Sequence, residues 1–219
     1  MTAVFGASIR FLPLPERSFV VSPPAAMAEL PTAAEVARAI ADGLEERNIA
    51  YAIGGAIALG FYAPPRATVD VDVNVFVSPE SELDHLLAAL AEIGFRADDD
   101  PKVVRLRAME DGQFRGTMLG LRVDVFVPTV PFYATLREHR REVPLLDRPL
   151  WIVGPEDLVV LKLMFFRRKD LADVEAVLRD QGPALDRDFI RRTLIALVGE
   201  ADERMRELSA IERDVDASD

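Results

Sequence analysis

The chain has 219 residues, half of them hydrophobic and 29% charged, with a formal net charge of −11 and no cysteine. This composition suits a soluble globular fold of one domain, or one domain with a small helical annex, and it excludes disulfides, thiolate metal sites and cysteine nucleophiles. An acidic balance also opposes nonspecific nucleic-acid binding, which calls for a basic footprint.

Two histidines, His85 and His139, are too few for a histidine-rich zinc site, and no G-x-S-x-G elbow is present. By elimination, catalysis here would fall to carboxylates, Lys or Arg, and bound metal. No apolar run approaches the ~18 unbroken residues of a membrane span. Pro13 and Pro15, with Glu16 and Arg17, break up any signal-peptide pattern near the start. The expected location is cytoplasmic.

Residues 1–30 carry Pro13, Pro15, Pro23 and Pro24 without sustained periodicity and read as a proline-rich, flexible leader. Thr32 and Glu35 then form a T-x-x-E capping box, and Val36, Ile40 and Leu44 follow at helical spacing, which predicts a helix from about Ala33 to Arg47. A short apolar strand, Ile49 to Ile53, runs into Gly54-Gly55. Ala56 to Phe61 is a helix of about two turns, stopped by Tyr62 to Pro65.

From Thr68 the residues alternate. Val69, Val71 and Val73 point one way and Asp70, Asp72 and Asn74 the other, because strand side chains have period two. Asp70 and Asp72 therefore share a face, with carboxylates roughly 6 to 7 Å apart. Such a face is either solvated or holds a cation between its oxygens.

Ser78 to Gly94 reads as an amphipathic helix with Leu83, Leu86, Leu87, Leu90 and Ile93 as its buried stripe and His85 on its solvated side. Asp98 to Pro101 is an acidic turn. Val103 to Met109, Gln113 to Leu119 and Leu121 to Val127 read as strands, with Asp111-Gly112 as a hairpin signal and Gly120 as a break or bulge. In the last of these, Asp124 faces opposite to Val123 and Val125. If this strand neighbours the D-x-D strand, three carboxylates converge.

Phe132 to Arg141 predicts a short helix whose end gathers Arg137, His139, Arg140 and Arg141, a pattern that dipole complementation alone can produce. Leu150 to Val153 is a last strand. Gly154-Pro155-Glu156-Asp157 starts a helix running to about Asp180. Within it Lys162 sits among Leu161, Leu163 and Met164, where a charge must snorkel or meet an anion. Arg167, Arg168 and Lys169 form a basic patch, and Lys169 with Asp173 has the spacing of a helix ion pair. Two further helices, Asp186 to Val198 and Ala201 to Ile211, complete the chain.

Four features together resemble the nucleotidyltransferase superfamily, and within it the AbiEii-type toxins and their uncharacterised relatives. They are Gly54-Gly55, the run from Arg66 through Thr68 to Asp70 and Asp72, Asp124 in a hydrophobic strand, and the helix carrying Glu156, Asp157, Lys162, Lys169, Asp170 and Asp173. Gly54-Gly55-Ala56 stands where many members have Gly-Ser.

The resemblance implies an α/β (α+β) fold: a mixed, twisted sheet of about five strands with helices on one side and a C-terminal helical region. Residues 31–153 would form the nucleotidyltransferase-like unit and 154–219 the helical one. It implies that Asp70, Asp72 and Asp124 hold Mg²⁺ or Mn²⁺ and carry catalysis. Gly54, Gly55, Arg66, Thr68, Lys162 and Lys169 would contact an NTP. The reaction would transfer a nucleoside monophosphate to a hydroxyl of RNA or tRNA, a protein or a small molecule, with an antitoxin protein as a partner and no membrane association. The alternative is a noncatalytic module of the same fold that binds a nucleotide or a partner. A third reading makes the acids solvated strand residues of a structural protein.

Overall fold

The computed structural model describes residues 31–218. The proline-rich leader expected over 1–30 lies outside the described residues. The first helix, α1 (Ala33–Glu45), begins at the expected capping box: Thr32 Oγ1 accepts the Glu35 N–H, and the Glu35 carboxylate accepts the Thr32 N–H at 2.7 Å. Strand β1 (Tyr51–Ile53) is wholly buried and leads through Gly54 into the five-residue helix α2 (Gly55–Leu59). Strand β2 (Asp70–Val75) carries the D-x-D run, and α3 (Leu83–Glu92) follows with His85 exposed.

The next segment departs from expectation. After a two-residue strand β3 (Arg96–Ala97), residues read as a strand form helix α4 (Pro101–Glu110). Asp100 caps it by accepting the Lys102 N–H, and Pro101 takes its first position. Val104 and Ala108, one turn apart, are its buried residues. The Val-Val pair and the alternating arginines imitate a strand, but the Asp-Pro start and this i, i+4 pair decide for the helix. Asp111-Gly112 is thus a helix exit and not a hairpin turn. The hairpin lies between β4 (Gln113–Met118) and β5 (Leu121–Phe126), where Leu119 and Gly120 both have positive φ, the signature of a tight two-residue turn.

Helix α5 (Phe132–His139) precedes β6 (Arg141–Leu145), which pairs antiparallel with β7 (Arg148–Ile152). The sheet thus has seven strands, more than the five expected, in the order β3-β4-β5-β2-β1-β7-β6. Strand β6 is an edge, and Pro144 within it is tolerated there because a proline removes no ladder bond on a free edge.

The single long helix expected after Gly154 is two helices, α6 (Pro155–Phe165) and α7 (Arg168–Gln181), because Phe166 takes a left-handed conformation between them. Helices α8 (Arg187–Val198) and α9 (Glu203–Asp216) end the chain and pack on α6 and α7.

The mixed sheet carries helices on one face, as expected, and the C-terminal helical region packs against the other through α6. Val71, Val73, Val123 and Val125 are fully buried on one face, where α1, α3 and α4 supply the covering layer. Gly43 of α1 allows the close approach of α3, since a Cβ there would lie 2.4 Å from the Ile93 side chain. The opposite face carries the acids and is only partly covered by α6. There the Phe165 ring meets Phe126 edge to face with centroids 5.7 Å apart.

Candidate active site

The acids are brought together by strand pairing. Strands β2 and β5 are parallel neighbours in a register that sets Asp70 beside Arg122 and Asp72 beside Asp124. Strand β4 continues the rows, with Arg115 beside Asp124 and Thr117 beside Arg122. Asp70, Asp72 and Asp124 therefore share one face across two adjacent strands.

Their environments differ. Asp70 accepts hydrogen bonds from Thr68 Oγ1 and from Arg122 Nη2. Partial burial works to raise its carboxyl, but these bonds and the charges of Arg122 and Lys169 hold it below the usual carboxylate range. Asp124 accepts from Arg115 Nε. Asp72 lies deeper, and among the described residues no hydrogen bond or ion pair reaches its carboxylate. Burial first, then the negative charges of Asp70 and Asp124, push its carboxyl up to about 6. Among the described residues, no three acids or histidines are drawn into a closed cluster able to grip a metal ion.

The Gly-Gly turn is fitted to Asp72. The Gly54 N–H donates to the Asp72 carbonyl at 2.8 Å. Gly55 has a φ of +56°, and a Cβ there would stand 1.7 Å from Asp72 Oδ2. Only glycine meets both demands. Beside this contact opens a narrow cleft lined by Gly55, Asp72, Asn74, Phe126, Leu158, Leu161, Lys162, Phe165 and Arg167. The Arg167 guanidinium lies over the Phe165 ring, 5.0 Å from its centroid.

Of the remaining expected binding residues, Lys162 is buried and already paired. Its Nζ donates to Asp173 Oδ2 at 2.7 Å and to Asp170 Oδ1 at 3.3 Å. Arg66 binds Asp173 with two parallel bonds, at 3.1 and 3.0 Å, and Arg167 binds Asp170. Burial acts to raise Asp170 and Asp173, but their hydrogen bonds and the Lys162 charge hold both below the usual range. Lys162 thus meets its anions across the break between α6 and α7. Lys169 is exposed and does not pair with Asp173.

Arg115, Phe126, Phe165 and Arg167 escaped the residue-by-residue reading of the site. Arg115 and Phe126 carry a weak signal, since each stands on the same alternating face as Asp124. Phe165 carries none, because its position depends on where α6 docks. A further buried acid, Asp157, lies in the first turn of α6 with both oxygens lacking hydrogen bonds, and His139 Nδ1 lies 3.4 Å from Oδ2. Burial pushes its carboxyl up to about 7.

The mixed sheet thus carries the D-x-D strand beside a third aspartate strand, with the Gly-Gly turn against the second acid, which are the features on which the resemblance to the nucleotidyltransferase superfamily rests. The chain belongs to the family described as "Nucleotidyl transferase AbiEii toxin, Type IV TA system", which matches residues 38–217.

Among solved structures, a nucleotidyltransferase-like antigenic protein from Paracoccidioides brasiliensis is similar at 20% identity and a TM-score of 0.50, over 81% of this chain and 92% of that one. The antibiotic-resistance factor ANT(2'')-Ia aligns at 14% identity and a TM-score of 0.46, over 84% and 91% of the two chains. JHP933 of Helicobacter pylori aligns at 15% and 0.45, over 84% and 90%. At 20% identity the likeness to the Paracoccidioides protein is one of fold. A search among curated proteins finds no significant match. Among the described residues, no helix is long and apolar enough to cross a membrane.

Proposed function

We propose that this chain is a metal-dependent nucleotidyltransferase, the toxin of a toxin–antitoxin pair, that moves a nucleoside monophosphate from an NTP to an acceptor hydroxyl. The observation that carries this reading is the cross-strand pair of Asp72 and Asp124 beside Asp70, with Asp72 lining the cleft.

Three carboxylates on one face supply the oxygen donors that a divalent cation takes, although they are not drawn into a closed cluster. Asp72 is a sunken carboxylate without a hydrogen-bond donor, raised to about 6 by burial and two neighbouring acids, which is the setting a cation relieves. Asp70, Asp72 and Asp124 would hold Mg²⁺ or Mn²⁺. When bound, such ions polarise the α-phosphate, align the attacking oxygen and neutralise the pyrophosphate leaving group.

The chain's own groups supply the rest. Asp124 orients the acceptor hydroxyl and takes its proton. Gly55 keeps the turn open against Asp72, so that no side chain stands between the phosphates and the acid. Thr68 fixes the rotamer of Asp70. Lys169, exposed and close enough to bias Asp70, is placed for phosphate contact. Lys162 and Arg66 organise the cleft wall through Asp170 and Asp173. The base packs against Phe165 within the cleft, beside the Arg167 guanidinium that already lies over that ring.

A noncatalytic nucleotide- or partner-binding module is the second reading. It is favoured by the arginines already bound to Asp70 and Asp124. One experiment separates the two: melting temperature with Mg²⁺ and each NTP, on wild type and on Asp70→Asn/Asp72→Asn, followed by pyrophosphate release with candidate acceptors. A ligand at a hundred times its dissociation constant adds about 2.7 kcal/mol to stability. A metal-dependent shift for one NTP, lost in the double variant, together with pyrophosphate release, supports the transferase. A shift that needs no metal and survives the double variant supports the module.

A further inference from the structure

Two of the three acids are already supplied with cations, and the strand register puts them there. Arg122 is the cross-strand partner of Asp70, and Arg115 is the cross-strand partner of Asp124. Each guanidinium donates to its partner's carboxylate, and Arg122 Nε lies a further 3.6 Å from Asp124 Oδ2. Both side chains stand about half in solvent, 50% exposed for Arg115 and 46% for Arg122, whereas the carboxylates they cover are 13% and 20% exposed.

We propose that Arg115 and Arg122 are built-in counter-cations that hold Asp124 and Asp70 in the metal-free protein and must be displaced when a divalent cation binds. The inference rests on the metal reading above. A guanidinium presents only donors and is always charged, so it cannot share a metal's coordination and repels the incoming ion. Its bond takes one of the carboxylate's roughly four lone-pair sites, and its fixed position and charge beside the remaining ones oppose the ion that would take them. Displacement is cheap because each head group already borders water and can swing outward. Without these arginines Asp124 would lose its hydrogen-bond donor, and Asp70 would keep only the Thr68 hydroxyl and the more distant charge of Lys169. With them, the affinity for metal is the intrinsic affinity reduced by the competition of two tethered cations.

The test uses Mn²⁺ alone, titrated into the full chain and followed by loss of the free-ion electron paramagnetic resonance signal. The variants are Arg115→Gln, Arg122→Gln and Arg96→Gln. Arg96 is exposed, opposes Thr117 on the same side of the sheet, and has no acid partner among the described residues. Arg115→Gln and Arg122→Gln should each bind Mn²⁺ about threefold to fivefold more tightly than wild type, the factor expected for removing one exposed ion pair. Arg96→Gln should leave the affinity unchanged. In parallel melts, the first two should lose stability without metal and regain more of it with Mn²⁺ than wild type gains.

Binding that appears only in the two arginine variants also supports displacement. Equal or weaker Mn²⁺ binding in both would overturn it while leaving the metal site intact. An equal gain in Arg96→Gln would overturn it as well, by assigning the effect to the general field. No Mn²⁺ binding by any form would remove the metal reading itself, and this inference with it.

Discussion

Asp72 and Asp124 are direct partners on adjacent parallel strands, so two carboxylates from distant parts of the sequence face the same way at the same height. Asp72 bears most of the cost. Its folded carboxyl is raised to about 6 from an ordinary 3.8, so between those values the folded chain binds more protons than the unfolded one. Stability therefore falls as pH rises through that window. Asp72→Asn should reduce the slope between about pH 4 and 6 by the share of one carboxyl and stabilise the metal-free chain at pH 7 by about 1–3 kcal/mol. Denaturant melts from pH 4 to 8 check this, and an unchanged slope would refute it.

Gly55 should be intolerant of any side chain. Gly55→Ala combines a left-handed backbone position with a Cβ placed against Asp72 Oδ2. It should cost about 1–3 kcal/mol and disturb the carboxylate it touches. Gly54→Ala, whose Cβ would first meet Asn74 Nδ2 at 3.0 Å and whose φ is ordinary, should cost less. Urea midpoints of the two variants make the comparison.

The Lys162 cluster predicts an asymmetry. Lys162→Met leaves Asp170 and Asp173 with one arginine each, whereas Asp173→Asn strips both Arg66 and Lys162 of their principal acid. Breaking a buried pair by removing one partner costs about 3–5 kcal/mol. Both variants should be destabilised, with Asp173→Asn the worse because two cations lose their acid. Because Asp170 and Asp173 are held low, this contribution is present at neutral pH and is lost as pH falls through their folded values. Equal midpoints for the two variants at pH 7 would contradict the asymmetry.

Phe165 should affect nucleotide and not metal. Base stacking on an aromatic ring is worth about 1–3 kcal/mol. Phe165→Ala should weaken NTP binding about tenfold or more, while Mn²⁺ binding measured without nucleotide stays at the wild-type value. Parallel loss of both would mean that α6 has moved and that the ring acts only through packing.

Asp157 offers a pH test away from the cleft. Burial raises its carboxyl to about 7, so it destabilises the fold progressively as pH rises from about 4 through 7. Asp157→Asn should raise the melting temperature at pH 8 more than at pH 5. The reverse order would mean that the ionised form is favoured by its surroundings, with His139 the nearest group.

The sequence by itself determined what depends on short range. Period-two alternation put Asp70 and Asp72 on one face and Asp124 opposite Val123 and Val125. The capping box placed the start of α1, and the glycines marked the turn at Gly54-Gly55. The misreading of Val103 to Met109 shows the limit of that logic: a strand-like pattern lost to an Asp-Pro cap and one buried helical pair. Tertiary structure alone decided which strands are neighbours and in what register. It therefore decided that Asp72 meets Asp124, that Arg122 and Arg115 reach the acids, and that Lys162 finds Asp170 and Asp173 across the break at Phe166. The physical reason is that periodicity fixes only the side to which a residue points. Its partner is fixed by long-range pairing, where a slip of one residue would turn every acid of a strand to the opposite face.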